Sequence, residues 1–195
     1  MTAIPTPFRF EPEFTPEEFQ KIGQFAARWA LIEHIVGNCA RRVLDLDPKQ
    51  ATVLVFPLSL DARVEMIRRS TRQRPLADDQ RAYFDELLPL VRAIQYIRNT
   101  TLHGVVIKFQ QDDEAFFHLR SRDRKITKTE LFACEDLINY TAHVVQAFRI
   151  SLGEKDHDLW PPINYTLPGR PTIPSILPDE CRSFKVGALP PLRTK

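Results

Sequence analysis

The feature that most constrains this chain is a helical period that starts at Thr15-Pro16-Glu17-Glu18. Thr at a cap, Pro in the first turn and Glu three residues after the Thr satisfy the orphan N–H groups of a helix start. Behind them Phe19, Ile22, Ala26, Trp29, Val36, Ala40 and Val43 recur at three- and four-residue steps. Such a stripe is one apolar face of a helix of about 30 residues, which must find other helices to cover it and ends before Pro48. Glu33 falls on the same stripe, an unusual place for a charged residue.

The period recurs along the chain. A short helix is expected over 48–56, capped by Asp47. Ser59 caps the next, "LDARVEMIRRSTRQ", with Leu60, Val64 and Ile67 inward. A fourth starts near Asp78 and carries Phe84, Leu87, Leu88, Val91, Ile94 and Ile97 inward to His103. Pro89 should kink or interrupt it, and Gly104 suits the position just past its end. The period then changes. "GVVIKFQ" and "AFFHLRS" flank the acidic turn Asp112-Asp113-Glu114 and read as a β-hairpin at about 104–121. A last helix opens at Thr127, boxed by Glu130, and runs to about Leu152 with Leu131, Leu137, Ile138, Val144, Val145 and Phe148 inward. From Trp160 onward, 36 residues hold eight of the sixteen prolines. That segment can form neither helix nor central strand, and either lies extended over the bundle or moves freely.

The fold class is therefore all-α: a four-to-five-helix bundle with a small hairpin inserted before the last helix and a Pro-rich C-terminal tail. Residues 1–14 form an N-terminal extension, 15–153 the helical domain and 154–195 the tail. With 195 residues, 43% of them hydrophobic, the chain can bury a core. Cys39, Cys134 and Cys181 are odd in number and widely spaced, which supports neither a disulfide framework nor a zinc site. Cys39 and Cys134 lie in apolar helical runs and read as small buried hydrophobes. No metal is called for, and no dinucleotide fingerprint, P-loop or nucleophile elbow is present, so no cofactor is expected. Neither a signal peptide nor an apolar run of membrane-spanning length is found, which reads as a cytoplasmic protein with no membrane partner.

The formal net charge of +2 does not by itself argue for nucleic acid, but the cations are nineteen Arg to eight Lys. The planar guanidinium suits phosphate. The chemistry-bearing stretch is "AIQYIRNTTLHGVV", Ala93 to Val106. On a helix Asn99 and His103 share a face. Arg98 lies about 140° round from His103, within reach of a long side chain. A neutral imidazole can take a proton from a hydroxyl, and a guanidinium can hold a phosphate and stabilise its transition state. Together they suffice for attack of an RNA 2′-hydroxyl on the neighbouring phosphate. Spacing alone does not decide, because nineteen Arg and five His produce such pairings by chance; Arg28 and His34 are another. A His is also favoured at a helix C-terminus by the dipole alone.

"IRNTTLHG", with Arg-Asn near the end of an amphipathic helix and His before Gly, resembles the HEPN superfamily, whose motif is Arg, four to six residues, then His. The long first helix with "ARWALIEHIV" and a closing helix after an insertion are similar in order, over about Thr15 to Leu152. The resemblance implies an all-α, metal-independent endoribonuclease of toxin-antitoxin or phage-defence type. Arg98 and His103 would be catalytic, Asn99 supporting them and Glu33 on the first helix orienting Arg98. It implies a homodimer whose two motif helices form one composite RNA-cleaving cleft, and an antitoxin or nucleotidyltransferase partner. Where some such toxins carry a modified Tyr two residues past the His, this chain has Val105, a departure that puts that control in doubt. The alternative is a non-catalytic module of the same type that binds RNA, a nucleotide or a protein. Arg63, Arg68, Arg69 and Arg72, with Arg74, are candidates to track an RNA backbone. Arg120, Arg122, Arg124 and Lys125 form a second such group, and the bland reading of both is a solvated face.

Overall fold

The computed structural model describes residues 14–103, 105–107, 116–119, 124–153, 167–175, 177–178, 181 and 189–190. Among them the chain is a helical bundle: α1 (Pro16–Val43), α2 (Pro48–Leu54), α3 (Leu60–Gln73), α4 (Asp78–His103), α5 (Lys128–Phe132) and α6 (Glu135–Ser151). Between α4 and α5 lie β1 (Val105–Ile107), β2 (Phe116–Leu119) and β3 (Arg124–Thr127). No helix among the described residues is long and apolar enough to cross a membrane.

Local chemistry explains where the helices begin. Thr15 accepts from the Glu18 N–H at 3.2 Å while the Glu18 carboxylate accepts from the Thr15 N–H at 2.8 Å. Asp47 with Gln50 and Thr127 with Glu130 repeat this reciprocal pair, and Ser59 caps α3 through the Ala62 N–H. Each cap is worth about 1 kcal/mol.

The stripe on α1 is buried from Phe25 to Val43, with Ile32, Val36, Cys39 and Ala40 wholly covered. Phe19, expected inward, is 48% exposed, and its ring leans on Phe14 instead. Helices α1 and α6 pack on each other, as do α4 and α6, and α3 covers a further side of α1. The inward residues expected on α4 and α6 are buried, Leu88 only in part. At roughly 1.5–3 kcal/mol for each large apolar side chain removed from water, this burial fixes the helix faces.

Three local expectations are refined. Pro89 does not break α4, which runs unbroken across it. Pro89 and its neighbours Glu86, Leu87, Leu90 and Val91 are buried, and their packing outweighs the lost hydrogen bond. The expected hairpin forms, with β1 antiparallel to β2, and β3 adds a third antiparallel strand in the order β1-β2-β3. Val106 pairs with Phe117, and Phe117 with Ile126. The acidic turn lies outside the described residues. The single last helix is split at Ala133 and Cys134, where the Cys134 N–H bonds the Leu131 carbonyl at 3.0 Å and tightens the turn. None of the three cysteines forms a disulfide, and all are buried. Burial, with the Glu130 carboxylate, pushes the Cys134 thiol up to about 12, so it is inert at neutral pH.

The described part of the tail is docked. Arg170 donates through Nε and Nη2 to the two oxygens of Glu86, each at 2.7 Å. The Tyr140 hydroxyl donates to the same carboxylate at 3.1 Å. Leu177 and Cys181 are buried, and the Tyr83 hydroxyl donates to the Pro190 carbonyl. Glu86 is 3% exposed, so these donors stand in for the water its carboxylate has lost.

Two stability predictions follow from packing. Arg170→Ala strands a buried carboxylate and should cost about 3 kcal/mol in a denaturant titration, with Glu86→Leu/Arg170→Ala recovering most of the loss. Gly37→Ala places a methyl 2.7 Å from Cε1 of Phe56, whose ring is stacked on His34 and flanked by Arg63. The helix-propensity gain of about 1 kcal/mol is outweighed by an overpacking cost of about 1–3 kcal/mol. The variant should therefore melt below the wild type.

Candidate functional site

The site is built at the C-terminal end of α4. Thr100 and Thr101 are buried and spend their hydroxyls on the Tyr96 and Ile97 carbonyls, at 3.0 and 2.8 Å. With the threonines turned inward, Arg98 and Asn99 are half-buried and His103 is exposed. The sheet lies against α4 through β2 and β3, with Phe117 and Ile126 buried.

Arg98 Nη1 lies 2.7 Å from His103 Nε2 and donates to Asn99 Oδ1 at 3.0 Å. A guanidinium has only donors, so in this contact a neutral His103 ring accepts at Nε2 and carries its proton on Nδ1. In that tautomer the imidazole turns its lone pair toward the guanidinium. The Arg98 guanidinium carbon lies 5.8 Å from the centroid of the Trp29 ring on α1. Buried Nε of Arg98 and buried Nε1 of Trp29 have no hydrogen-bond partner among the described residues. The three residues picked out on α4 are thus brought together. Trp29 joins them, although the sequence marked it only as a packing residue; no local signal ties an inward Trp to an Arg on another helix.

The second Arg-to-His spacing is not assembled. Arg28 bonds Glu135 at 3.2 Å, and His34 bonds Asn38 at 3.1 Å and stacks on Phe56. Among the described residues, the Glu33 carboxylate forms no ion pair with Arg98. Its backbone carbonyl instead accepts from Arg63 Nη1 at 2.8 Å.

The proposed phosphate track changes as well. Arg63 is a structural clamp. It donates to the carbonyls of Glu33, Val55 and Phe56, tying α1 to the α2–α3 connection, and is not available to a ligand. Arg68 and Arg69 both hold Glu65, at 2.7 Å each. Those hydrogen bonds lower the Glu65 carboxyl to about 2, so it stays ionised in any ordinary buffer and cancels one of the two cations. Arg72 is exposed, and Arg74 makes a loose pair with Asp45 at 3.9 Å. Of the second group, Arg120 and Arg122, like the side chains of Arg124 and Lys125, lie outside the described residues.

Removing the carboxylate tests whether this face meets polyanions. Glu65→Gln should leave the melting transition close to that of wild type, since exposed pairs are worth little, and raise the salt needed to elute the protein from heparin. Unchanged elution would remove Arg68 and Arg69 from any polyanion surface. No family model matches this chain, and no curated protein or solved structure matches it.

Proposed function

We propose that the protein is a metal-independent endoribonuclease of HEPN type, related to toxin or phage-defence enzymes. The observation that carries this reading is the 2.7 Å contact between Arg98 Nη1 and His103 Nε2 at the solvent-facing end of α4. A free-base nitrogen and a permanent cation within one hydrogen bond are what 2′-hydroxyl attack requires.

As Arg98 Nη1 turns from the imidazole to the phosphate, the Nε2 lone pair of His103 is released and takes the 2′-hydroxyl proton while the 2′-oxygen bonds to phosphorus. Arg98 stabilises the extra charge on the phosphoryl oxygens. The bond from phosphorus to the 5′-oxygen breaks, leaving a 2′,3′-cyclic phosphate and a 5′-hydroxyl. The leaving oxygen needs a proton from the far side of the phosphorus, and one side chain cannot serve both faces. A homodimer with two His103 residues around one cleft supplies the second donor. Asn99, bonded to Arg98, limits the directions the guanidinium can take. An antitoxin or nucleotidyltransferase partner would restrain the activity, through a residue other than the tyrosine that Val105 replaces.

His103→Ala and Arg98→Ala should each lower cleavage of single-stranded RNA at least about a hundredfold, the usual scale of a lost acid–base or charge-stabilising group. The far-ultraviolet circular dichroism should not change. Product ends should be 2′,3′-cyclic phosphates, and light scattering should report a dimer. A pure, dimeric wild-type protein inert on several RNAs would sink the enzymatic reading and leave a binding module.

A further inference from the structure

The Arg98–His103 contact has a mechanical weakness that the rest of the site does not repair. Arg98, Asn99 and His103 all belong to α4, so the Arg98–Asn99 and Arg98–His103 hydrogen bonds are internal to one helix. An arginine on a helix has many rotamers, and holding one of them costs side-chain entropy. No carboxylate pairs with Arg98 among the described residues, and its Nε makes no hydrogen bond. Among those residues, the contact that fixes the guanidinium from outside α4 is the face of Trp29 on α1. That face is rigid: Trp29 is 4% exposed, within the run of buried residues from Phe25 to Val43.

We infer that Trp29 is the positioning residue of this pair, an aromatic platform from α1 that holds the Arg98 guanidinium where Nη1 meets His103 Nε2. A cation over an indole face is attracted by the ring quadrupole, most strongly where water is excluded, and the ring also bars the rotamers that would fold the guanidinium inward. The platform confines the arginine without taking up its N–H donors. A carboxylate in the same place would hold it more tightly, but would neutralise the charge a phosphate needs and occupy its fork. Stacking leaves Nη1 free for the imidazole and the remaining outward N–H groups free for an anion.

The inference rests on the ribonuclease reading only for what the pair does, and its primary readout is independent of activity. In wild-type protein at mildly alkaline pH, long-range ¹H–¹⁵N spectra of the His103 ring should show the Nδ1–H tautomer, with Nε2 as acceptor. Trp29→Phe keeps an aromatic face and should retain that tautomer, and RNA cleavage within about threefold. Trp29→Leu keeps apolar bulk without the face. It should shift His103 toward the Nε2–H tautomer and lower kcat about tenfold or more with KM nearly unchanged, since the lost geometry matters at the transition state. A His103 tautomer in Trp29→Leu identical to wild type overturns the proposal, as does equal loss of the signature in both variants. If Trp29→Leu fails to fold, Trp29→Met, a slimmer flexible side chain, replaces it with the same criteria. Should wild type cleave no RNA while the tautomer responds as described, the positioning role stands and the ribonuclease reading fails.

Discussion

Helix α4 can adopt only one rotation about its own axis, and the rest of the molecule depends on that constraint. From Tyr83 to Thr101 its buried residues include Phe84, Leu87, Leu90, Val91, Ala93, Ile94 and Ile97, against α6 on one side and the sheet near its end. Turning it by one residue, about 100°, would expose several of these side chains at roughly 1.5–3 kcal/mol each. No polar contact at its end could oppose such a sum. The direction in which Arg98, Asn99 and His103 face is therefore a by-product of core packing. So is the inward placement of Thr100 and Thr101, which accept burial because their hydroxyls bond back one turn.

The same helix carries a second polar commitment near its other end. Glu86 and Arg98 are twelve residues apart, about 18 Å along the axis, and their environments are opposite in design. Glu86 is 3% exposed and accepts from Arg170 and Tyr140, and its carboxylate ties down the described part of the tail. Those hydrogen bonds are all made within the fold. Arg98 rests on a ring, keeps donors outward and touches an exposed histidine. Burial depth and donor accounting thus separate a charge enclosed by the fold from one that meets an exposed side chain on a single helix, where residue type alone does not.

What could be read from the sequence follows the range of the interaction concerned. Helix starts at Thr15, Asp47, Ser59 and Thr127 were legible because a cap joins residues three apart. The inward faces of α4 and α6 were legible because burial imposes a period. The roles of Glu33, Arg63, Glu86 and Trp29 were not, since each is set by a partner on another element: Arg63 reaches back 30 residues to Glu33, and Arg170 reaches 84 to Glu86. The break at Ala133 and Cys134 carries neither Gly nor Pro and leaves no local mark. Pro89 shows the converse, a strong local signal that burial on its flanks overrides.

The two Arg-to-His spacings show why a motif is a statement about geometry. Five steps along a helix rise about 7.5 Å and turn about 140°, whereas six rise about 9 Å and turn about 120° the other way. Helical side chains lean toward the N-terminus, so a histidine leans back toward an arginine that precedes it, and the shorter rise is the easier to bridge. Arg98 and His103 have that advantage, and no carboxylate draws Arg98 off. Arg28 has the longer span to cover and Glu135 across the α1–α6 interface to bind; His34 has Asn38 one turn on and the Phe56 ring beside it. Each residue of the second pair is engaged elsewhere before the pair can form. Distance and competition separate the two spacings, and both are properties of the assembled bundle.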